Sequence, residues 1–209
     1  MADTSFRTST ALIPAGHEDL CLAYANTLSW RGSGTPAESL HGFADLLGWL
    51  VGFAGLAPEI AEAAGGWAGD EPGAAAALFA EAIGLREAIY RIFAAAAGGE
   101  RAAETDLVLL NRALAAAPPR VRLTWGKGGY LWAADGCSLS IPVFLAPVMW
   151  SAADLLTRAD PTRLRRCANE QCLWLFIDRS KTGTRRWCDM SSCGNRAKSR
   201  RHYLRTKLS

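Results

Sequence analysis

Apolar residues recur at three- and four-residue intervals along most of the chain, the spacing of one helix face. Between Glu18 and Trp30, Leu20, Tyr24 and Leu28 fall on one side and Leu22, Asn26 and Trp30 on another, which predicts a helix with little polar face. Ser39–Gly52 repeats the pattern with Leu40, Phe43, Leu46, Leu47 and Leu50. Pro58 suits the first turn of a short helix that Gly65 and Gly66 are expected to end. Pro72–Ala97 predicts the longest helix, with Phe79, Ile83, Ile89, Tyr90 and Phe93 on its apolar arc. Ala102–Ala116 predicts another, stopped by Pro118-Pro119.

The period then falls to two. Val121–Trp125 and Tyr130–Ala133 read as strands, and the Gly126-Lys127-Gly128-Gly129 turn joins them as a hairpin. Pro142–Arg158 returns to helix, and Asp160-Pro161 marks a junction. Beyond it, Leu173–Ile177 is a strand candidate with Thr184–Trp187 as its expected partner and Gly183 in the turn. Ser192–Lys207 closes the chain as a helix. The expected architecture is mainly α: a helical domain over 1–160 with a small β-hairpin, then a small unit over 161–209.

Two polar residues interrupt apolar arcs. Arg86 lies between Ile83 and Tyr90, and Asn26 between Leu22 and Trp30. A buried guanidinium is costly unless paired. Either an internal acid or carbonyl satisfies Arg86, or a small anionic ligand does; internal pairing is the commoner outcome. With Trp30 and Arg31, which either line a pocket mouth or cap the helix end, Asn26 and Arg86 form the candidate pocket for a small-molecule effector.

Charge divides the chain. Between Thr162 and Ser209 there are 13 Lys and Arg against three acids, a net charge of +10, while residues 1–161 carry −7. The basic part suits a polyanion such as nucleic acid; alternatively, the two parts neutralise each other. No apolar run follows a basic cap near the start, and the Leu139–Ala153 stretch, broken by prolines and serines, falls short of a membrane span. The expected protein is soluble and cytoplasmic, nucleoid-associated if it binds DNA.

In a reducing compartment, paired cysteines indicate metal more often than disulfide. Cys167-x4-Cys172 and Cys188-x4-Cys193, fifteen residues apart, suit one structural Zn²⁺ held by four thiolates; two disulfides or four core thiols are the alternatives. Arg166, Arg185, Arg186 and Arg196 are available to balance the site's negative charge. Knuckle, hairpin and helix in that order resemble a treble-clef or zinc-ribbon finger. Cys21 and Cys137 read as core thiols.

On the final helix, Cys193, Ala197 and Leu204 face the metal core. Arg196, Tyr203 and Lys207 line one flank, and Lys198, Arg201 and Arg205 the other, with Arg200 beside the packed side. Asn195, Ser199, His202 and Thr206 lie between. Two basic ridges around short polar residues suit a helix in a major groove, ridges on phosphates and centre on bases. The competing reading is a solvated basic helix. Arg185, Arg186, Asn195, Arg196, Lys198, Ser199, Arg200, Arg201, His202, Arg205 and Lys207 are the candidate nucleic-acid contacts.

The stretch RRWCDMSSCGNRAKSRRHYLR resembles the signature of the CGNR zinc-finger family of bacterial proteins, with Cys193-Gly194-Asn195-Arg196 as its name-giving run. LCLAYANTLSWRG and LREAIYRIF are similar to the ABATE domain that precedes this finger in the family; Ala23 stands where an acidic residue is common there. The resemblance implies a transcriptional regulator whose finger binds nucleic acid and whose first domain is a sensor; DNA is the expected target rather than RNA. An RNA-binding protein and a protein-docking module are the alternatives. A homodimer would let one short recognition helix gain affinity. Motifs for zinc catalysis, phosphate loops and nucleophile turns are absent, and a four-cysteine site leaves no open position, so no enzyme is expected.

Overall fold

The computed structural model describes residues 10–13, 19–126, 129–135, 140–158, 160, 162–199 and 203. The elements run β1 (Thr10–Ile13), α1 (Leu20–Ala25), β2 (Leu28–Ser29), β3 (Ala37–Glu38) and α2 (Phe43–Trp49), which widens into a π-helical turn, Leu50–Ala54. Next come α3 (Pro58–Asp70), α4 (Pro72–Ala97), α5 (Glu104–Ala116), β4 (Leu123–Gly126) and β5 (Gly129–Asp135). Then follow α6 (Ile141–Phe144), α7 (Ala146–Arg158), β6 (Leu164–Arg166), β7 (Leu175–Ile177) and a second π-helical turn, Met190–Gly194.

Helix α4 is the axis of the fold. It packs against α1, α2, α3, α5 and α6, and also against β6 and β7. Ala82, Leu85, Ile89, Ile92 and Phe93 are all buried on it, so its apolar surface is wider than the arc read from the sequence. Leu20 and Tyr24 from α1, Leu46 and Leu50 from the α2 region, and Val148 and Met149 from α7 join the same core. So do Leu164 and Leu175, from the two strands that flank the first cysteine pair. The basic C-terminal unit is thus rooted in the helical core.

Four elements depart from the sequence reading. The first helix stops at Ala25, because the Thr27 hydroxyl bonds back to the Tyr24 carbonyl at 2.8 Å. The chain then turns into the β2–β3 pair, Leu28 opposite Glu38 and Ser29 opposite Ala37. The second helix starts at Phe43 rather than Ser39. The Glu38 carboxylate takes the amides of Ser39 and Leu40, and Asp45 takes that of His41, so these side chains compete with helical bonding.

Helix α3 begins at Pro58 as expected but runs through Gly65 and Gly66 to Asp70. Ala64 is fully buried, and Trp67 and Ala68 pack on the core, which offsets a glycine cost of about 1 kcal/mol each. The stretch expected as one helix from Pro142 breaks at Leu145, and Pro147 sits in the first turn of α7, where its missing N–H has no partner to lose. The hairpin is present and gains a third strand: β1 pairs antiparallel with β5, giving the order β1-β5-β4.

Arg86, only 2 % exposed, is paired entirely within the protein. It forms a fork with Glu38 at 2.7 Å on both oxygens, donates from Nε to Glu87 at 2.9 Å and reaches the Thr27 hydroxyl at 3.1 Å. Burial opposes ionisation of Glu38, but the Arg86 hydrogen bonds outweigh it and hold its pKa below the ordinary value. Glu87 is also held below its usual range: burial opposes this, and Arg31, which forks onto it at 2.7 and 3.0 Å, overcomes it.

Truncating the partner of a buried charge costs more than removing the charge itself. Glu38→Ala is therefore expected to lower unfolding free energy by about 3 kcal/mol, at the low end for buried pairs because Glu38 is partly exposed. Arg86→Met should cost clearly less. Urea unfolding of both variants checks the order.

Candidate metal centre

Strands β6 and β7 pair antiparallel, with Leu164 opposite Ile177 and Arg166 opposite Leu175. Cys167 and Cys172 sit in the knuckle at the tip of this hairpin. The Cys167 amide donates to the Trp174 carbonyl at 2.7 Å, and the Cys172 amide to Asn169 at 2.8 Å. The strand partner read from the sequence, Thr184–Trp187, is corrected here. That segment crosses behind the knuckle instead, where the Arg186 carbonyl takes the Ala168 amide at 2.8 Å. Its path is fixed by Asp178, 1 % exposed, whose carboxylate accepts from the amides of Ser180 and Arg185 at 2.9 and 2.7 Å. Hydrogen bonds from Ser180 first, then Arg185, hold Asp178 at about 2.

Of the second pair, Cys193 lies in the Met190–Gly194 turn, which opens the C-terminal helix, and Cys188 just precedes its cap. Asp189 caps it, taking the Ser192 amide at 2.8 Å. Bonds from Ser191 and Ser192 hold Asp189 at about 2, so a negative charge stands at the helix start. Residues 195–199 and 203 are helical.

The four sulfurs of Cys167, Cys172, Cys188 and Cys193 all lie within 4.8 Å of one another. Cys172 and Cys188 are 3.7 Å apart, and Cys188 and Cys193 3.8 Å. A zinc tetrahedron with Zn–S bonds of about 2.3 Å has S···S edges of about 3.8 Å. A disulfide would bring two sulfurs to about 2.05 Å, and all four cysteines are free. The charges point the same way. Hydrogen bonds from Cys172 and Cys188 stabilise a thiolate on Cys167, down to about 2; that group in turn pushes Cys172 up to about 12 and Cys188 higher still. A cation at the centre would let Cys167, Cys172 and Cys188 ionise together. The donor set fits one structural zinc, with no position left for substrate.

The N-terminal part helps enclose this site. Trp30, Phe176 and Trp187 pack on the cysteines. Trp30 adopts φ 55°, a left-handed conformation that a bulky residue adopts only under tertiary constraint. The Arg196 guanidinium lies 4.3 Å from its ring centre. Gly32 donates to the Gln171 carbonyl at 3.2 Å, and a Cβ on it would stand 1.8 Å from the Glu170 carbonyl oxygen. Asn169 donates to the Cys193 sulfur at 3.5 Å, linking the two cysteine pairs.

The four residues of the candidate effector pocket are all engaged in internal contacts, and Arg31 and Arg86 share Glu87. Asn26 donates to the Leu175 carbonyl at 2.8 Å and accepts its amide at 3.1 Å, tying α1 to β7. Trp30 covers the cysteines. Arg31 pairs with Glu87 and lies 3.8 Å from the Tyr90 ring centre, while the Tyr90 hydroxyl donates to the Leu173 carbonyl at 3.1 Å. Arg86 is closed by Glu38, Glu87 and Thr27. Neither Glu38 nor Gly32 was singled out in the sequence: the first lies 48 residues from its partner, and nothing local distinguishes the second.

The candidate nucleic-acid residues fall into three groups. Arg200, Arg201, His202, Arg205 and Lys207 lie outside the described residues. Lys198 and Ser199 are exposed on the helix. The others already have contacts. Arg185 donates to the carbonyls of Trp187 and Cys188, and Arg186 lies 5.3 Å from the Trp187 ring centre. Asn195 donates to the Ser191 carbonyl, and Arg196 is stacked on Trp30.

Residues 18–159 match the ABATE family, described as "Putative stress-induced transcription regulator", and residues 163–206 match the CGNR zinc finger. No curated protein matches the chain. Among the described residues, no helix is long and apolar enough to cross a membrane.

Because Leu164 and Leu175 root the knuckle in the main core, zinc removal should be felt beyond the finger. Chelation is expected to lower the melting temperature of the whole chain in a thermal scan. Gly32→Ala should speed zinc loss to a colorimetric chelator several-fold, since the loop must leave the Glu170 carbonyl.

Proposed function

We propose a function from the premise that this chain belongs to the ABATE family and carries a CGNR zinc finger: a transcriptional regulator that binds DNA through the finger and its basic helix. The observation that supports this most is the separation of charge. The segment from Thr162 carries +10 and residues 1–161 carry −7, and the zinc site holds the first turn of the helix that carries Arg196 and Lys198. The two units have different tasks in this reading. Residues 161–209 contact DNA, and residues 1–160 hold the finger in place and sense a signal.

In this reading the basic side chains divide between two purposes. Arg185 and Arg196 brace the finger, through carbonyls of the second knuckle and through Trp30. Lys198 and Ser199, exposed on the helix, continue toward Arg201 and Arg205 in sequence and supply the phosphate contacts. A single such helix gains useful affinity from a second half-site, so a homodimer on a symmetric operator is part of the proposal.

Selection from a random duplex pool with the zinc-loaded chain should return a preferred sequence, and chelator should abolish its recovery. Binding should weaken steeply with salt, and Arg201→Ala with Arg205→Ala should reduce the log–log slope by roughly 2 while weakening all duplexes alike. Equal binding to random single-stranded RNA would contradict a DNA regulator and favour an RNA-binding role.

A further inference from the structure

The closed surroundings of Arg86 leave no room for a ligand there, but an open cleft lies nearby. It has a volume of about 500 Å³ and runs between α1, the end of α2 and strand β7 of the finger. Such a volume falls within the roughly 300–1,000 Å³ of small-molecule sites. Its lining is mostly apolar and unusually aromatic: Trp49 and Phe53 from the helical part, Trp174 and Phe176 from the finger. Trp49 and Phe53 are stacked on each other at 5.5 Å and 14°. Phe53 is 57 % exposed and Trp174 38 %, although both could have been polar at no cost to the core.

We propose that this cleft binds a neutral, planar aromatic molecule that bridges the helical part and the finger. Flat aromatic walls favour stacked rings, and such contacts add to the burial of apolar area. The polar groups argue for a neutral ligand. Asp19 in the lining is paired with Arg179 at 2.9 Å, and Asn26 is spent on Leu175, so neither is left to hold an ion. Ser39 also lines the cleft, and its hydroxyl makes no hydrogen bond among the described residues, which leaves a donor for a ring nitrogen or carbonyl.

The location gives the ligand a consequence. Cys188, a zinc ligand, lines the same cleft, as does Leu175, the residue that Asn26 grips. A ring seated there touches the helical part, the β7 backbone and the metal centre together. It therefore favours the docked finger over any arrangement in which the two parts separate. This holds whether or not the finger contacts DNA.

The test uses the full zinc-loaded chain and quinoline, a neutral two-ring probe with one acceptor nitrogen, followed by NMR of the tryptophan indole N–H signals. Signals of Trp49 and Trp174 should shift saturably while that of Trp125, on the distant hairpin, stays put. Phe53→Ser with Trp174→Ser, both at exposed positions, should weaken binding by roughly tenfold or more, read at Trp49. Ala23→Phe, which fills the cleft without removing an aromatic wall, should also block it. Zinc content and circular dichroism confirm that each variant is folded. No saturable shift, shifts shared equally by Trp125, or unchanged affinity in the folded variants would overturn the proposal.

Discussion

Four cysteine sulfurs lie within 4.8 Å of one another, close enough to share one cation, and the rest of the finger depends on that constraint. The two pairs come from unrelated local structures, a hairpin knuckle and a helical turn. The metal would join them directly, beside the Asn169–Cys193 hydrogen bond and the aromatic packing. Once bound, it fixes where the C-terminal helix begins and in which direction it leaves.

The finger does not stand alone. Leu164 and Leu175 belong to the core organised by α4, and Asn26 grips the backbone of Leu175 from α1. Gly32 and Trp30 close over the knuckle from the other side. The strain at Trp30 and the absence of a side chain at Gly32 both follow from this close approach. So the helical part sets the orientation of the finger, and the Arg86–Glu38–Glu87–Arg31 network stiffens the loop that does it. Chemistry at the zinc, packing in the core and presentation of the basic helix form one mechanical chain.

How much of this was legible in the sequence depended on range. The cysteine spacing revealed the metal site because the ligands come in local pairs. Pro72–Ala97 was readable to the residue because Pro and Gly bound a long periodic run. The failures were non-local. Glu38 and Arg86 meet only after the β2–β3 turn forms, and β1 is a four-residue run whose partner lies more than a hundred residues on. Strand β7 pairs with β6 rather than with Thr184–Trp187 because Leu164 has a core position to fill and Asp178 bends the later segment away. Gly65-Gly66 looked like a stop, but packing of Ala64 and Trp67 overrode it. The aromatic cleft was invisible because its walls come from three separate stretches.

Sulfur coordination of a single zinc by all four cysteines is the claim on which the account stands. Zinc-edge X-ray absorption of the purified full chain measures it directly. The account predicts one zinc per chain with four sulfur neighbours at about 2.3 Å and no nitrogen or oxygen ligand. A chain that holds no zinc, or a zinc with mixed sulfur and oxygen neighbours, would contradict it.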